Sequence, residues 1–358
     1  MRFVKRLSYM QDILLFNYPS TMVWYLVLVA ALLMVPLCFG QYWVSLMVFM
    51  GIYVIVALGM NLLTGYTGQV SLGHAAFFAA GAYTSAVLTQ KLGVSFWLAL
   101  PAAGVVGALL GVIVGLPALR LKGLYLAIAT MGFGFIVEEV IVQWDGATNG
   151  VNGLLVTRPH LGPVSFESDE SYYYLVLVTV VILIIALKNI LRTPTGRAFI
   201  AVRDSEVAAE SMGIRLSVYK TAAFCISAFY TGIAGSLYTH FMLFIGPENF
   251  DFMVSISFLV MILVGGLGSV HGAVFGAVFI TLLPELISLS KDFLPEFIAG
   301  QAGLQAAVYG LILILFILFE PLGLYGRWLK VKHYFEQFPF YKKGTFKRVR
   351  KFHRTEQQ

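Results

Sequence analysis

Charge is scarce in this sequence. Of 358 residues only 12% are Asp, Glu, Lys or Arg, while 59% are hydrophobic, a balance that a soluble core does not need. Cysteine is nearly absent as well: Cys38 and Cys225 each stand alone in an apolar block, so neither a disulfide framework nor a Cys-based metal site follows. No Gly-Lys dipeptide occurs anywhere, which excludes a Gly-x-x-x-x-Gly-Lys-Ser/Thr phosphate loop and assigns any nucleotide hydrolysis to another chain. No Ser, His and Asp arrangement, and no His and Glu pair at metal-ligand spacing, suggests catalysis. No catalytic residue, metal ligand or cofactor-binding residue is therefore expected here.

What the sequence does have is long apolar blocks. A bilayer crossing needs roughly 20 predominantly apolar residues, because lipid offers backbone N–H and C=O groups no partner. Such blocks fall at 21–39, 42–62, 67–88, 96–119, 123–143, 172–191, 219–241, 252–264, 271–289 and 303–320. The pattern predicts an all-α, polytopic membrane protein of about ten helices, some broken or re-entrant. The block at 252–264 is short, and Gly265, Gly266 and Gly268 follow it, so it reads either as a crossing or as one limb of a re-entrant hairpin. The first block lacks a small-residue cleavage site behind it and reads as an anchor rather than a signal peptide.

Basic residues set the orientation. With the N-terminus inside, 21 of the 24 Lys and Arg fall on the inner side, and only Lys91, Arg158 and Lys291 fall outside. Since basic loops remain cytoplasmic, both termini are expected there. The chain then divides into a cytoplasmic lead (1–20), a membrane domain (21–326) and a basic cytoplasmic tail (327–358). Phe3, Leu7, Met10 and Leu14 recur at helical spacing in the lead, so 3–16 reads as an interfacial helix or as a disordered start. The tail mixes Lys and Arg with Trp328, Tyr334 and Phe335, which suits either an anionic lipid surface or plain solvation; without a supporting fold, nucleic acid is the poorer partner. The outer loop 144–170 is rich in turn formers.

The inner loop 192–218 has a different character. Asp204 is placed to cap a short helix, Ser205 to Met212 form two turns with Glu206 near the positive end of the dipole, and Gly213 ends it in a left-handed conformation. Two turns are unstable alone. A partner surface could approach closely at Ala208 and Ala209, with Arg203, Asp204, Glu206 and Glu210 as rim charges; an ordinary connecting loop is the alternative.

Within the spans, Gly107, Gly111 and Gly115 recur every fourth residue, as do Gly268, Gly272 and Gly276, which strips one face of side chains for close helix packing. Gly65 to Gly73 reads as unwound backbone of the kind that lines transporter sites. Intramembrane polar residues are costly and should face protein or water; Asn61, Gln69, Ser71, His74, Glu138 and Glu139 are the candidates for a pathway or gate. His74 also suits a structural hydrogen bond between helices, the commoner reason for such a residue. Glu138 and Glu139 fit interfacial solvation equally well.

Several stretches together resemble the branched-chain amino acid permease family, of the M-subunit type, that serves high-affinity Leu/Ile/Val uptake. They are NLLTGYTGQVSLGHAAFFAAGAYTSAVL (Asn61 to Leu88), LRLKGLYLAIATMGFGFIVEEV (Leu119 to Val140), TNGVNGL (Thr148 to Leu154), TGRAFIAVRDSEVAAESMGI (Thr195 to Ile214), GGLGSVHGAVFGAVF (Gly265 to Phe279) and FEPLGLYG (Phe319 to Gly326). The likeness implies the coupling loop of an ATP-binding cassette (ABC) importer at 192–218, with Arg203, Asp204, Ser205, Glu206, Ala208, Ala209, Glu210 and Gly213 as its coupling residues. It further implies a second homologous permease, two cytoplasmic ATPase subunits that bind ATP and Mg, a periplasmic substrate-binding protein, and a bacterial inner membrane. Importers of urea, amides or other amino acids stay open within the same superfamily. An ion-coupled secondary transporter is the rival of another class, and the echo between Gly65, Gly68, Val70 and Gly265, Gly268, Val270 is the feature that speaks for it.

Overall fold

A computed structural model describes residues 19–161, 164–291, 304–320 and 322–337. The interfacial stretch 3–16 and the tail beyond 337 lie outside the described residues. The described chain is almost wholly helical: α1 (Pro19–Cys38), α2 (Gln41–Met60), α3 (His74–Gln90), α4 (Phe96–Ala118), α5 (Leu124–Gln143), α6 (Asp169–Arg192), α7 (Pro194–Asp204), α8 (Glu206–Ser211), α9 (Leu216–Met242), α10 (Phe252–Gly265), α11 (Val270–Lys291), α12 (Leu304–Phe319) and α13 (Gly323–Gln337). Two pairs of two-residue strands, Leu154–Leu155 with Phe244–Ile245 and His160–Leu161 with Val164–Ser165, are the sheet among the described residues.

Among the described residues seven segments are long and apolar enough to cross a bilayer: Gln41–Tyr66, Phe96–Ala118, Leu124–Gln143, Asp169–Arg192, Leu216–Met242, Pro247–Gly265 and Val270–Leu289. Met22–Cys38 and Ala307–Phe316 are shorter apolar helices, and α3 has 17 residues. The chain is an all-α, polytopic membrane protein.

The core is built around α9, against which α2, α3 and α4 pack. The glycines of α4 make this possible. A Cβ added at Gly107 would lie 2.5 Å from the Ala228 carbonyl oxygen, and one at Gly111 2.6 Å from that of Phe224; Gly115 faces Thr221 in the same way. Backbone-to-backbone approach replaces side-chain interdigitation here. Gly111→Leu should therefore be overpacked and cost about 1–3 kcal/mol, read as a fall in the thermal midpoint of the purified protein, whereas the same change at the open Gly132 should leave it nearly unchanged.

Contacts sort the connections into two ends. At one end Gln90 Nε2 donates to Thr157 Oγ1 (3.1 Å), Lys91 Nζ donates to the Gly146 carbonyl (2.8 Å), His240 Nδ1 meets the Thr157 carbonyl (2.8 Å) and Arg158 pairs with Asp169. At the other end, loop 119–123, the stretch after α2, helices α7 and α8 and the α10–α11 turn converge, as described below. Segments fall at alternate ends as the helices succeed one another.

Two expected elements differ from the structure. The block at 67–88 is not one helix: α2 continues through a six-residue π-helical stretch, Asn61–Tyr66, and the backbone then runs unwound to Gly73 before α3 begins at His74. The π-helix places its N–H to C=O bonds one residue further on, so the stack loosens where the chain turns back. Gly268 is likewise not part of a helical stripe. It precedes α11 at φ +72°, in the turn that joins α10 to α11, and only Gly272 and Gly276 pack from α11 onto the α10 backbone. At 14 residues, α10 is about 21 Å long, less than the roughly 30 Å of a hydrocarbon core. With the short 3₁₀ turn Pro247–Phe250 before it and the tight turn after it, α10 and α11 form a hairpin.

Candidate functional site

Helices α7 and α8 lie at the end of the bundle where loop 119–123, the stretch after α2 and the α10–α11 turn converge. Pro194 opens α7 at a position where its missing N–H costs nothing, a signal present in the sequence as Thr193-Pro194 that marks a helix the loop reading did not include. The cap of α8 is Ser205, not Asp204: Ser205 Oγ accepts from the Ala208 N–H at 3.3 Å. Asp204 instead closes α7 and holds Arg203, whose Nε and Nη2 both donate to Asp204 Oδ1 at 3.1 and 3.0 Å. Gly213 takes φ +83°, and the Ile214 N–H reaches back to the Ala209 carbonyl at 3.0 Å, the six-to-one bond of a Schellman ending.

The charges of this surface divide: Asp204 and Glu210 are exposed as rim charges would be, whereas Glu206 points inward. Glu206 bridges Lys220 on α9, Nζ to Oε1 2.5 Å, and Lys122 in the α4–α5 loop, Nζ to Oε2 2.9 Å. The Lys220 side chain is only 4% exposed. Desolvation pushes the Glu206 carboxyl up, but hydrogen bonds from the two lysines and their charges outweigh it and hold the group below its usual range. Neither lysine was singled out by sequence reasoning. Lys220 carried the better signal, an ionisable residue at the head of an apolar block.

What faces outward is apolar. Val207 is 73% exposed and Met212 83%, with Ala208, Glu210 and Ser211 exposed between them and Ala209 buried beneath. These two large apolar side chains, one on the six-residue helix and one at its C-cap, form a knob left uncovered among the described residues.

Behind α7, the breaks in the membrane helices meet. Asn61, buried at the start of the π-helical stretch, donates from Nδ2 to the Ser269 carbonyl at 2.7 Å and accepts at Oδ1 from the Gly268 N–H at 2.9 Å. Arg203 Nη1 donates to the Gly65 carbonyl at 3.1 Å. His74 bonds Ser71 Oγ through Nδ1 (2.9 Å) and Ser227 Oγ through Nε2 (2.8 Å), which uses both ring nitrogens and ties α3 to α9. The buried Gln69 side-chain amide finds no hydrogen-bond partner among the described residues.

A small cleft opens between the N-terminal ends of α3 and α10 and the middle of α5, lined by Leu72, Ala75, Met131, Glu138, Phe250 and Asp251 among others. The Ala75 N–H donates to Ser255 Oγ across it at 2.8 Å. Asp251 caps α10, accepting from the Val254 N–H at 3.0 Å. The two adjacent glutamates part company: Glu138 is half-buried in the cleft, and Glu139 is exposed and accepts from Gln143 Nε2 at 2.8 Å. Among the described residues His, Cys, Asp and Glu form no group of three able to hold a metal ion.

The family model described as branched-chain amino acid transport system / permease component matches residues 42–318. The high-affinity branched-chain amino acid transport system permease protein LivM of Salmonella typhimurium is 34% identical over 297 residues, which cover 76% of this chain and 67% of that protein. LivM of Escherichia coli is 33% identical with the same coverage, and the LivH permease of that organism is 24% identical over 77% of this chain and 91% of its own. Among solved structures, a chain of PsaBC from Streptococcus pneumoniae in complex with Fab aligns over 85% of this chain and 99% of its own at 14% identity, with a TM-score of 0.44, too slight a likeness to carry an argument. A family match across most of the chain, together with a third of positions identical to LivM, fits the broken, glycine-packed membrane helices: this chain belongs to the family of branched-chain amino acid transport permease components.

Proposed function

We propose that the chain is one membrane subunit of an ATP-driven importer that passes branched-chain amino acids inward across a bacterial inner membrane. It pairs with a second homologous permease, receives solute from a periplasmic binding protein, and is driven by two cytoplasmic ATPase subunits that supply ATP and Mg chemistry. The observation that carries this reading is the outward apolar knob of α8 on a base pinned through Glu206. Such an element is built to transmit a push rather than to fold upon itself. The bias of basic residues supports a cytoplasmic position for it and for both termini, with Ser205, Ala208, Ala209, Glu210 and Gly213 shaping the docking helix.

We place the solute's route past this subunit at the cleft beside α5, which must widen to admit an amino acid. One wall is apolar, as an aliphatic side chain requires, and its carboxylates suit an ammonium group. The remaining polar candidates serve the frame: His74 and Ser71 tie helices together, and Asn61 joins the two turns.

Co-purification of the native complex, followed by reconstitution into vesicles, tests the reading. Uptake of labelled leucine, isoleucine and valine should require ATP and all the partners named. Uptake of urea or a short amide in their place would move the chain to another branch of the superfamily, and accumulation driven by an ion gradient without ATP would overturn the importer.

A further inference from the structure

Two glycine turns, 200 residues apart, take the same left-handed backbone: Gly68 at φ +73° and Gly268 at φ +72°. Both abut one side chain. A Cβ at Gly68 would lie 3.3 Å from Arg203 Cγ and 3.6 Å from its Cα, and a Cβ at Gly268 would lie 3.0 Å from Arg203 Nη1 and 3.2 Å from the Gly65 carbonyl oxygen. The Arg203 stem thus lies against one turn and its guanidinium against the other.

The guanidinium has a chemical reason to be there. Gly65 is in the last turn of the long helix that begins with α2, where carbonyls lack an intrahelical partner and the dipole presents negative charge. Arg203 Nη1 caps that carbonyl at 3.1 Å. Asp204 takes the Nε and Nη2 edge of the same plane, so the fork is held on both sides and its orientation is fixed. Asn61 bolts the turns together from within the membrane domain through Gly268 and Ser269, and Arg203 closes the assembly from the cytoplasmic side.

We propose that Arg203 is a positioning residue, the link through which α7 sets the conformation of both broken helices at once. This rests on the importer reading above and deepens it, since Arg203 acts within this chain rather than as a contact for an ATPase. A displacement of α7 is delivered through one rigid fork to the end of the α2 helix and to the α10–α11 turn. The unwound stretch to Gly73 and the α10 hairpin, which lead to the two helix ends at the cleft, then move together.

Two measurements on the reconstituted complex with Arg203→Lys and Arg203→Ala test the link. Lysine keeps the charge and the stem but has no fork. Amide exchange of Gln69 and Gly268, whose N–H groups bond Leu63 and Asn61, should quicken about tenfold in both variants, while the Val156 amide on the far strand pair stays as it was. Solute moved per ATP hydrolysed should fall by about the same factor, with hydrolysis still responding to solute-loaded binding protein. Unchanged exchange at Gln69 and Gly268, a wild-type ratio in the lysine variant, or exchange that rises throughout the protein would each overturn the proposal. If the wild-type complex proves not to hydrolyse ATP, the importer reading fails alone, and exchange at the two turns still decides whether Arg203 holds them.

Discussion

Replacing Glu206 with lysine should abolish ATP-driven uptake while leaving the protein in the membrane. Three ammonium groups would meet where one carboxylate now joins Lys220 and Lys122. The two pairs are unequal. Lys122 is 69% exposed, and its bond is worth about 0–1 kcal/mol; Lys122→Ala should pass almost unnoticed. Lys220 is 4% exposed, and leaving a buried cation without its partner costs about 3–5 kcal/mol, reduced here because Glu206 keeps a quarter of its side chain in water. Even the lower end exceeds what a six-residue helix contributes to its own stability. The expected result is loss of ATPase stimulation and of uptake in Glu206→Lys, partial recovery in the doubly exchanged Glu206→Lys, Lys220→Glu protein, and normal abundance in the membrane for both. Stimulation that survives in the single variant would remove Glu206 from the coupling base.

The pH dependence of the same group has a definite sign. The folded Glu206 carboxyl lies below its ordinary range, so its contribution is complete above the unfolded value of about 4.3 and is lost as pH falls through the lowered folded value. Coupling through this contact should accordingly be flat from neutral to mildly acidic cytoplasmic pH.

How much of this was legible in the sequence follows from the range of the interactions involved. The all-helical, polytopic character was, because apolar blocks of this length leave a backbone in lipid no other way to satisfy its hydrogen bonds. The unwound stretch was also legible as far as its end at Gly73, since glycine and polar residues cluster there, and bonds from Leu72 and Ala75 to Thr130 and Ser255 hold that end; its start was not, because the π-helical continuation of α2 keeps Gly65 and Tyr66 helical. The stripe containing Gly268 was misread for a similar reason. Spacing alone cannot distinguish a glycine that lies under a neighbouring helix from one that turns left-handed against Gly65. The direction of the loop charges was hidden as well, because the partners of Glu206 and Arg203 lie on segments distant in sequence, and a charged residue in a loop looks outward by default. Ser205 and Asp204 are equally good caps by type; the geometry of α7, which the loop reading omitted, decides for serine.

At the cleft, the two adjacent glutamates of α5 should respond differently to the loss of charge. Asp251 is committed to its helix end, and Glu139 is exposed and paired with Gln143. Glu138 has neither a hydrogen bond nor an ion pair among the described residues, and it faces the cleft with Met131, Phe135 and Phe252 nearby. On the route proposed above, an amino acid brings an ammonium group that must give up water, and a half-buried carboxylate replaces part of that hydration. A charge-assisted hydrogen bond of this kind contributes about 1.5–3 kcal/mol, or about ten- to a hundredfold in the occupancy of the route. Glu138→Gln should lower the rate of leucine uptake by about tenfold without changing the amount of assembled complex, and Glu139→Gln should transport as the wild type does. If Glu138→Gln instead takes up leucine at the wild-type rate, the carboxylate is reading no ammonium and the cleft is not the route.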